Sequence, residues 1–244
     1  MLYLIGLGLN RNGISKEAQQ IVEKAHKVYL EGYTVDFPYN VEDLHLSRKK
    51  IEVLDRKKVE SNMLIKEALS KKIVLLVYGS PLFATTHLSL LLDAKEQGVR
   101  TKVIYSASVF DAIGETGLQL YKFGKIASMP DWKDKGKSDS FMDLIKDNQS
   151  IKAHSLILCD IGLDFASALE QLQEAADAKK VKLDKIVVCS RMGSDDRRIS
   201  YNTIDKLRKK DFEMPFCLIV PSDMHFLEEE GLKMASFQNV DSTK

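Results

Sequence analysis

Three turns in this 244-residue chain hold the residues whose types and spacing suit chemistry. The first is Tyr78-Gly79-Ser80-Pro81-Leu82-Phe83-Ala84-Thr85-Thr86-His87. Gly79 and Pro81 set an unusual backbone there, and Thr85 or Thr86 can cap the helix that follows, so that its first amide groups face a ligand beyond the strand end. The second is Gly6-Leu7-Gly8-Leu9, whose glycines let a backbone or ligand approach closely. The third is Ser106-Ala107-Ser108-Val109-Phe110-Asp111-Ala112-Ile113-Gly114, small residues after a strand that suit either a ligand loop or plain helix capping by Ser106 or Ser108. Groups that could move a proton are fewer. Asp160 ends one apolar run, whereas His87 lies so early in its helix that a structural hydrogen bond is the simpler role. Tyr121, Lys122 and Lys125 could receive a carboxylate, although lysines in such a stretch are usually solvated. No pattern singles out a catalytic base.

Gly6-Leu7-Gly8 together with Glu31 invites a dinucleotide-binding reading. That reading fails on the third glycine of the fingerprint, whose position is held by Arg11. A metal site has no support either: Cys159, Cys189 and Cys217 lie in separate apolar runs without ligand spacing, and an odd, scattered set argues for buried thiols in a reducing compartment. Lys and Arg total 36 against 35 Asp and Glu, which leaves no net field to hold nucleic acid or an anionic membrane. No window approaches the about 18 apolar residues of a membrane span. The expectation is a cytoplasmic protein with neither nucleic acid nor membrane as partner.

The elements that position these turns follow from periodicity. Continuous apolar runs over 2–9 and 73–77 read as strands buried on both faces. Shorter strands are expected over 28–30, 51–54 and 102–105, with a helix up to residue 25 that Ser15 can cap and further helices over 59–68 and 86–97, the last with Leu88, Leu91, Leu92 and Ala94 as its apolar stripe. The basic residues over 48–58 read as a solvated face. Residues 130–140, rich in Asp, Lys and Gly, are the best linker candidate, which divides the chain into an N-terminal α/β domain over 1–130 and a C-terminal α/β domain over 131–244. Beyond that point strands over 154–159, 186–190 and 216–220 alternate with helices over 139–148, 164–178 and 203–209, and Asp164 is placed to cap the second of these. Two α/β domains leave a cleft between them, where ligands are often bound.

Taken in order, Gly6-Leu7-Gly8-Leu9, Gly79-Ser80-Pro81 with Ala84-Thr85-Thr86-His87, and Ser106-Ala107-Ser108-Val109 leading to Thr116-Gly117-Leu118-Gln119-Leu120-Tyr121-Lys122-Phe123-Gly124 resemble the diphthine synthase family. The likeness continues through His154-Ser155-Leu156-Ile157-Leu158-Cys159-Asp160-Ile161, Arg191-Met192-Gly193-Ser194 and Val220-Pro221 before His225, so that it spans nearly the whole chain. The resemblance implies the tetrapyrrole methylase fold, with two α/β domains around S-adenosylmethionine, in a homodimer. It also implies a methyltransferase whose acceptor is the amino group of a 3-amino-3-carboxypropyl chain on one histidine of translation elongation factor 2. Archaeal members of the family trimethylate that amine, and eukaryotic members also esterify the carboxylate. The positions matching the family's cofactor contacts are Leu9, Ser80, Phe83, Ser108, Val109, Cys159, Met192 and His225. Ser80 departs from the pattern, because most relatives carry Asp between that Gly and Pro.

For such a reaction the methyl donor arrives already activated, so holding the two reactants in attack geometry, worth on the order of 7 to 11 kcal/mol, outweighs a general base. Two alternatives stay open at the level of sequence. One is a superfamily methylase acting on a tetrapyrrole or another small acceptor, although Gly6-Leu7-Gly8-Leu9-Asn10-Arg11 differs from the Gly-Xaa-Gly-Pro-Gly-Asp turn typical of those enzymes. The other is a non-catalytic protein that keeps the fold and docks on elongation factor 2, with Ser80 as a sign of a decayed cofactor site.

Overall fold

The computed structural model describes residues 1–44, 46 and 50–237, so Arg48 and Lys49 of the basic stretch lie outside the described residues. The chain forms two compact units, Met1–Val109 and Phe110–Lys244. The division falls ahead of the expected 130/131 boundary. Residues 130–140 are no linker: Asp131 caps a short helix by accepting a hydrogen bond from the Lys133 N–H. The buried Gln171 side chain fixes the same stretch, accepting from the Trp132 N–H at 3.0 Å and donating to the Pro130 carbonyl at 2.9 Å. Polar composition there reflects capping and a docked turn, and charge alone could not separate those from a linker.

The first unit is built on a parallel sheet of β1 (Leu2–Gly6), β2 (Lys27–Glu31), β3 (Ile51–Leu54), β4 (Ile73–Val77) and β5 (Thr101–Ile104), in the order β3-β2-β4-β1-β5. Strand alternation sends Leu2, Leu4, Ile73, Leu75 and Val77 into one core and Ile5, Val74, Leu76, Val28 and Leu30 into another. Helix α1 (Lys16–Lys24) covers the second core through Ala18 and Val22, and Ser15 caps it as expected, its hydroxyl accepting from the Ala18 N–H. Over 59–68 two short helices, α2 (Arg56–Val59) and α3 (Met63–Ala68), replace the expected single one, and with α4 (His87–Glu96) they cover the first core.

Half of the apolar stripe expected of α4 packs inward, Ala94 within the first core and Leu91 against it, and half does not. Leu88 and Leu92 are 59% and 55% exposed, while His87, Leu90 and Ala94 are buried. Neither threonine caps the helix through its side chain: Thr86 stands at the cap position but its hydroxyl donates to Glu60 at 3.5 Å, and the Thr85 hydroxyl donates to the Pro81 carbonyl at 2.7 Å. The buried His87 ring donates from Nδ1 to the same carbonyl at 3.0 Å. A polar anchor, unseen by hydrophobic periodicity, sets the helix's rotation.

The second unit begins within α5 (Val109–Ala112) and carries a mixed sheet of β6 (Ala127–Met129), β7 (Ser155–Cys159), β8 (Ile186–Ser190), β9 (Arg198–Asn202) and β10 (Phe216–Val220), ordered β6-β7-β10-β8-β9. Strand β10 runs antiparallel to both β7 and β8. Helices α6 (Trp132–Lys135), α7 (Ser140–Ser150), α8 (Phe165–Lys179), α9 (Ile204–Leu207) and α10 (Phe226–Phe237) complete it. Asp164 caps α8 as its place in the sequence predicts, accepting from the Ser167 N–H at 2.9 Å. Strands β6 and β9 and helix α10 escape the sequence reading, since β6 has only three residues and Arg-Ile-Ser-Tyr-Asn of β9 lacks an apolar run.

Candidate functional site

In the first unit the three turns meet at one sheet edge, because β4, β1 and β5 are parallel neighbours and each turn leaves a C-terminal end. Gly8 and Gly79, both in the left-handed region at φ +73° and +69°, exchange backbone hydrogen bonds of 3.2 and 2.9 Å. At Gly6 the packing is closer still: a Cβ would lie 2.5 Å from the Gly79 carbonyl oxygen and 3.0 Å from Ser106 Cβ. The Tyr78 hydroxyl donates to the Leu9 carbonyl at 3.0 Å, and the Ser106 hydroxyl donates to that of Gly13 at 3.0 Å. Leu9, Ser80, Phe83, Ser108 and Val109 therefore stand on three backbone segments in mutual contact. Leu9 and Ser108 are buried, and Ser80, Phe83 and Val109 are half-buried. Phe83 is turned back on Ser80 by a 3.1 Å bond from its N–H to the Ser80 carbonyl. The C-terminal edge of a parallel sheet, where these three turns lie, is where α/β folds hold small ligands. Glu31, considered for a ribose, is instead spent locally on the Tyr33 N–H and the Thr34 hydroxyl.

The second unit separates its three positions. Cys159 ends β7 and Met192 follows β8, at one edge of the sheet. His225 follows β10, whose reversed direction places Val220 opposite Ser155, at the start of β7. The sequence shows each residue after an apolar strand; strand direction, a tertiary property, decides the edge. Burial pushes the Cys159 thiol well above its ordinary range, which favours the neutral thiol over the thiolate. Met192 is buried in a turn entered through Arg191, a non-glycine residue at φ +51°. Asp160 is already engaged. Burial acts to raise its carboxyl, but Lys135, with which it forms an ion pair, and a bond from the Asp131 N–H outweigh that and hold it below its ordinary value. Lys125 likewise pairs with Asp147 at 3.0 Å, and Tyr121 is 82% exposed.

Beside His225 lies a buried cluster that the sequence did not advertise. The Glu228 carboxylate accepts from the Gln119 N–H at 3.0 Å, His154 Nε2 at 3.0 Å, the His225 N–H at 2.8 Å and Lys122 Nζ. Burial opposes its charge, yet these donors, Lys122 foremost, bring its pKa down to about 2. His154 Nδ1 accepts from the Ser222 N–H at 2.9 Å, so the ring is the neutral Nε2–H form, and burial lowers its pKa. The one available sequence signal was spacing, since an acid three residues after a helix-capping position is a capping box. Among the described residues no group of His, Cys, Asp and Glu is arranged to hold a metal, and no helix is long and apolar enough to cross a membrane.

Residues 1–208 match the family model of tetrapyrrole (corrin/porphyrin) methylases. The chain is 37% identical over 251 residues to the diphthine synthase of Methanocaldococcus jannaschii, covering 96% of this chain and 98% of that one. The chain belongs to the diphthine synthase family of tetrapyrrole methylases. A eukaryotic relative, the diphthine methyl ester synthase of Dictyostelium discoideum, is 35% identical over 94% of this chain and 96% of its own. A crystal structure of a diphthine synthase superposes with a TM-score of 0.88 at 34% identity, covering 97% of this chain and 96% of that one. Two α/β sheets with their helices are the fold of this family, and the chain is a methyltransferase. As a diphthine synthase homologue it requires a methyl donor, and the glycines of the first unit let its three turns pack against one another, because a Cβ at Gly6 or Gly8 would meet the Gly79 carbonyl, Ser106 or Gly13.

Proposed function

We propose that this chain takes S-adenosylmethionine as its methyl donor and methylates the amino group of the 3-amino-3-carboxypropyl chain on a histidine of translation elongation factor 2. The observation that carries this reading is the near-full-length likeness to an archaeal diphthine synthase; the meeting of the three turns at one sheet edge supports it. Leu9, Ser80, Phe83, Ser108 and Val109 in the first unit, and Cys159, Met192 and His225 in the second, are the proposed donor contacts. When bound, the donor supplies an electrophilic methyl group. The chain's share is to hold and orient. The paired backbone of Gly8 and Gly79 fixes two of the turns against each other, and the Ser80 hydroxyl hydrogen-bonds without countering a positive charge. No protein base is required, since a free α-amine titrates near 8 and a usable fraction is neutral at physiological pH; Asp160, ion-paired to Lys135, is not free to serve as one. The protein acts as a homodimer in the cytoplasm, where elongation factor 2 works, and a monomer mass by light scattering overturns the dimer.

The test is incubation with methyl-labelled S-adenosylmethionine and elongation factor 2 bearing the unmethylated modification, followed by peptide mass analysis. Label confined to that histidine, in increments of one methyl, supports the reading. No label despite calorimetric binding of the donor sinks the acceptor assignment, and no binding sinks the donor. Ser80→Asp is expected to tighten donor binding by about tenfold, because a charge-assisted hydrogen bond is roughly twice as strong as a neutral one. An unchanged or weaker Kd by calorimetry would mean that this position does not meet the donor's ammonium group.

A further inference from the structure

Glu228 is the third residue of α10, and its bond to the His225 N–H is the reach-back half of a capping box. An ordinary capping box needs that bond alone and sits at the surface. Here the acid is fully buried and takes three further donors, Gln119 N–H, Lys122 Nζ and His154 Nε2. Those partners hold the rest of the turn: His154 Nδ1 takes the Ser222 N–H at 2.9 Å, and Lys122 Nζ donates to the Asp223 carbonyl at 2.7 Å. Each of Ser222, Asp223 and His225 is thus bonded to Glu228 or to a residue that Glu228 holds. The His225 ring faces back to its own helix, Nδ1 taking the Leu227 N–H at 3.4 Å, and the residue is otherwise exposed. An exposed residue whose backbone is tied to a buried anion is held at a fixed place without paying for its own order through contacts of its side chain.

We propose that Glu228 is a positioning residue for methyl-donor binding, fixing the 222–225 turn through His154 and Lys122 and so setting the place of His225. This rests on the reading of His225 as a donor contact. The experiment is calorimetric titration of S-adenosylhomocysteine into the wild-type chain and Glu228→Gln near neutral pH, with steady-state kinetics beside it. Glutamine keeps the shape but offers one acceptor oxygen to four donors. The expected result is a Kd raised by about tenfold or more, a donor KM raised with it, and kcat at saturating donor within about twofold of wild type. A folded variant with a lower denaturation midpoint and an unchanged Kd has lost only structure, and overturns the proposal. Should Glu228→Gln fail to fold, His154→Gln, which alters the Ser222 bond and one of the four donors to Glu228 while leaving the carboxylate in place, is expected to raise Kd by about threefold, and an unchanged Kd again overturns the proposal. Imidazole proton resonances separate this from the underlying reading. If the His225 resonance, assigned by its loss in His225→Gln, stays still on adding S-adenosylhomocysteine to wild type, the His225 contact falls and the proposal with it. If it moves while Glu228→Gln binds normally, the proposal falls alone.

Discussion

Gly6→Ala is expected to cost about 3 kcal/mol of stability and to weaken donor binding by about tenfold or more. Its Cβ would stand 2.5 Å from the Gly79 carbonyl oxygen, and 3.0 Å from both Pro81 Cδ and Ser106 Cβ. The closest of these is backbone, which cannot turn aside as a flexible side chain can. Nor can β1 retreat, because it is hydrogen-bonded on both sides, to β4 and to β5. Relief must come from moving the 79–81 turn or the 106–108 turn, and those turns carry Ser80 and Ser108. Stability and affinity are thus expected to fall together, read by urea denaturation and by calorimetry with S-adenosylhomocysteine. Gly114→Ala is the control: the nearest atom to its Cβ would be Leu120 Cδ1 at 3.9 Å, so both quantities should stay close to wild type. A Gly6→Ala protein with normal stability and affinity would mean that the three turns are not rigidly coupled.

The second large effect is acid sensitivity of the second unit. Glu228 has a pKa of about 2 in the folded chain against an ordinary 4.5. A depression of that size contributes about 3 kcal/mol, fully present above pH 4.5 and lost as pH falls through about 2. His154 acts earlier on the scale. Burial lowers its pKa below the ordinary 6.5, so as pH falls from 6.5 the unfolded chain takes up a proton that the folded chain refuses, and stability declines until the lower folded value is reached. Both groups make the fold weaker in acid, first through His154 and then through Glu228. Urea midpoints measured from neutral pH downward should fall from about pH 6.5, and His154→Gln should flatten only the upper part of that slope. A midpoint independent of pH across that range would show that the pair is not buried as a neutral imidazole and a carboxylate.

Much of each unit is legible in the sequence, for a physical reason. Ile73–Val77 reads as a buried strand because both its faces are covered, and Ser15 and Asp164 read as caps because a side-chain oxygen before an apolar stripe has few other roles. The three turns that form the candidate site were visible from glycines and small residues after strands. Local pattern misled where long-range polar contacts set the geometry. Leu88 and Leu92 face outward because His87 and Thr85 anchor α4 through the Pro81 carbonyl, and residues 130–140 stay docked because Gln171 holds both sides of that turn.

The sequence by itself determined the α/β class, the strand-end turns, the helix caps Ser15 and Asp164 and, through an ordered set of residues, the diphthine synthase family. These depend on contacts between near neighbours or on residue identity alone. Only the tertiary structure decided that β10 runs against β7 and β8, which parts His225 from Cys159 and Met192, and that Glu228 gathers donors from Gln119, Lys122, His154 and His225. Strand direction and buried polar pairing join residues far apart in the chain, and their energy comes from burial and from satisfying every donor at once, which no local run of residues records.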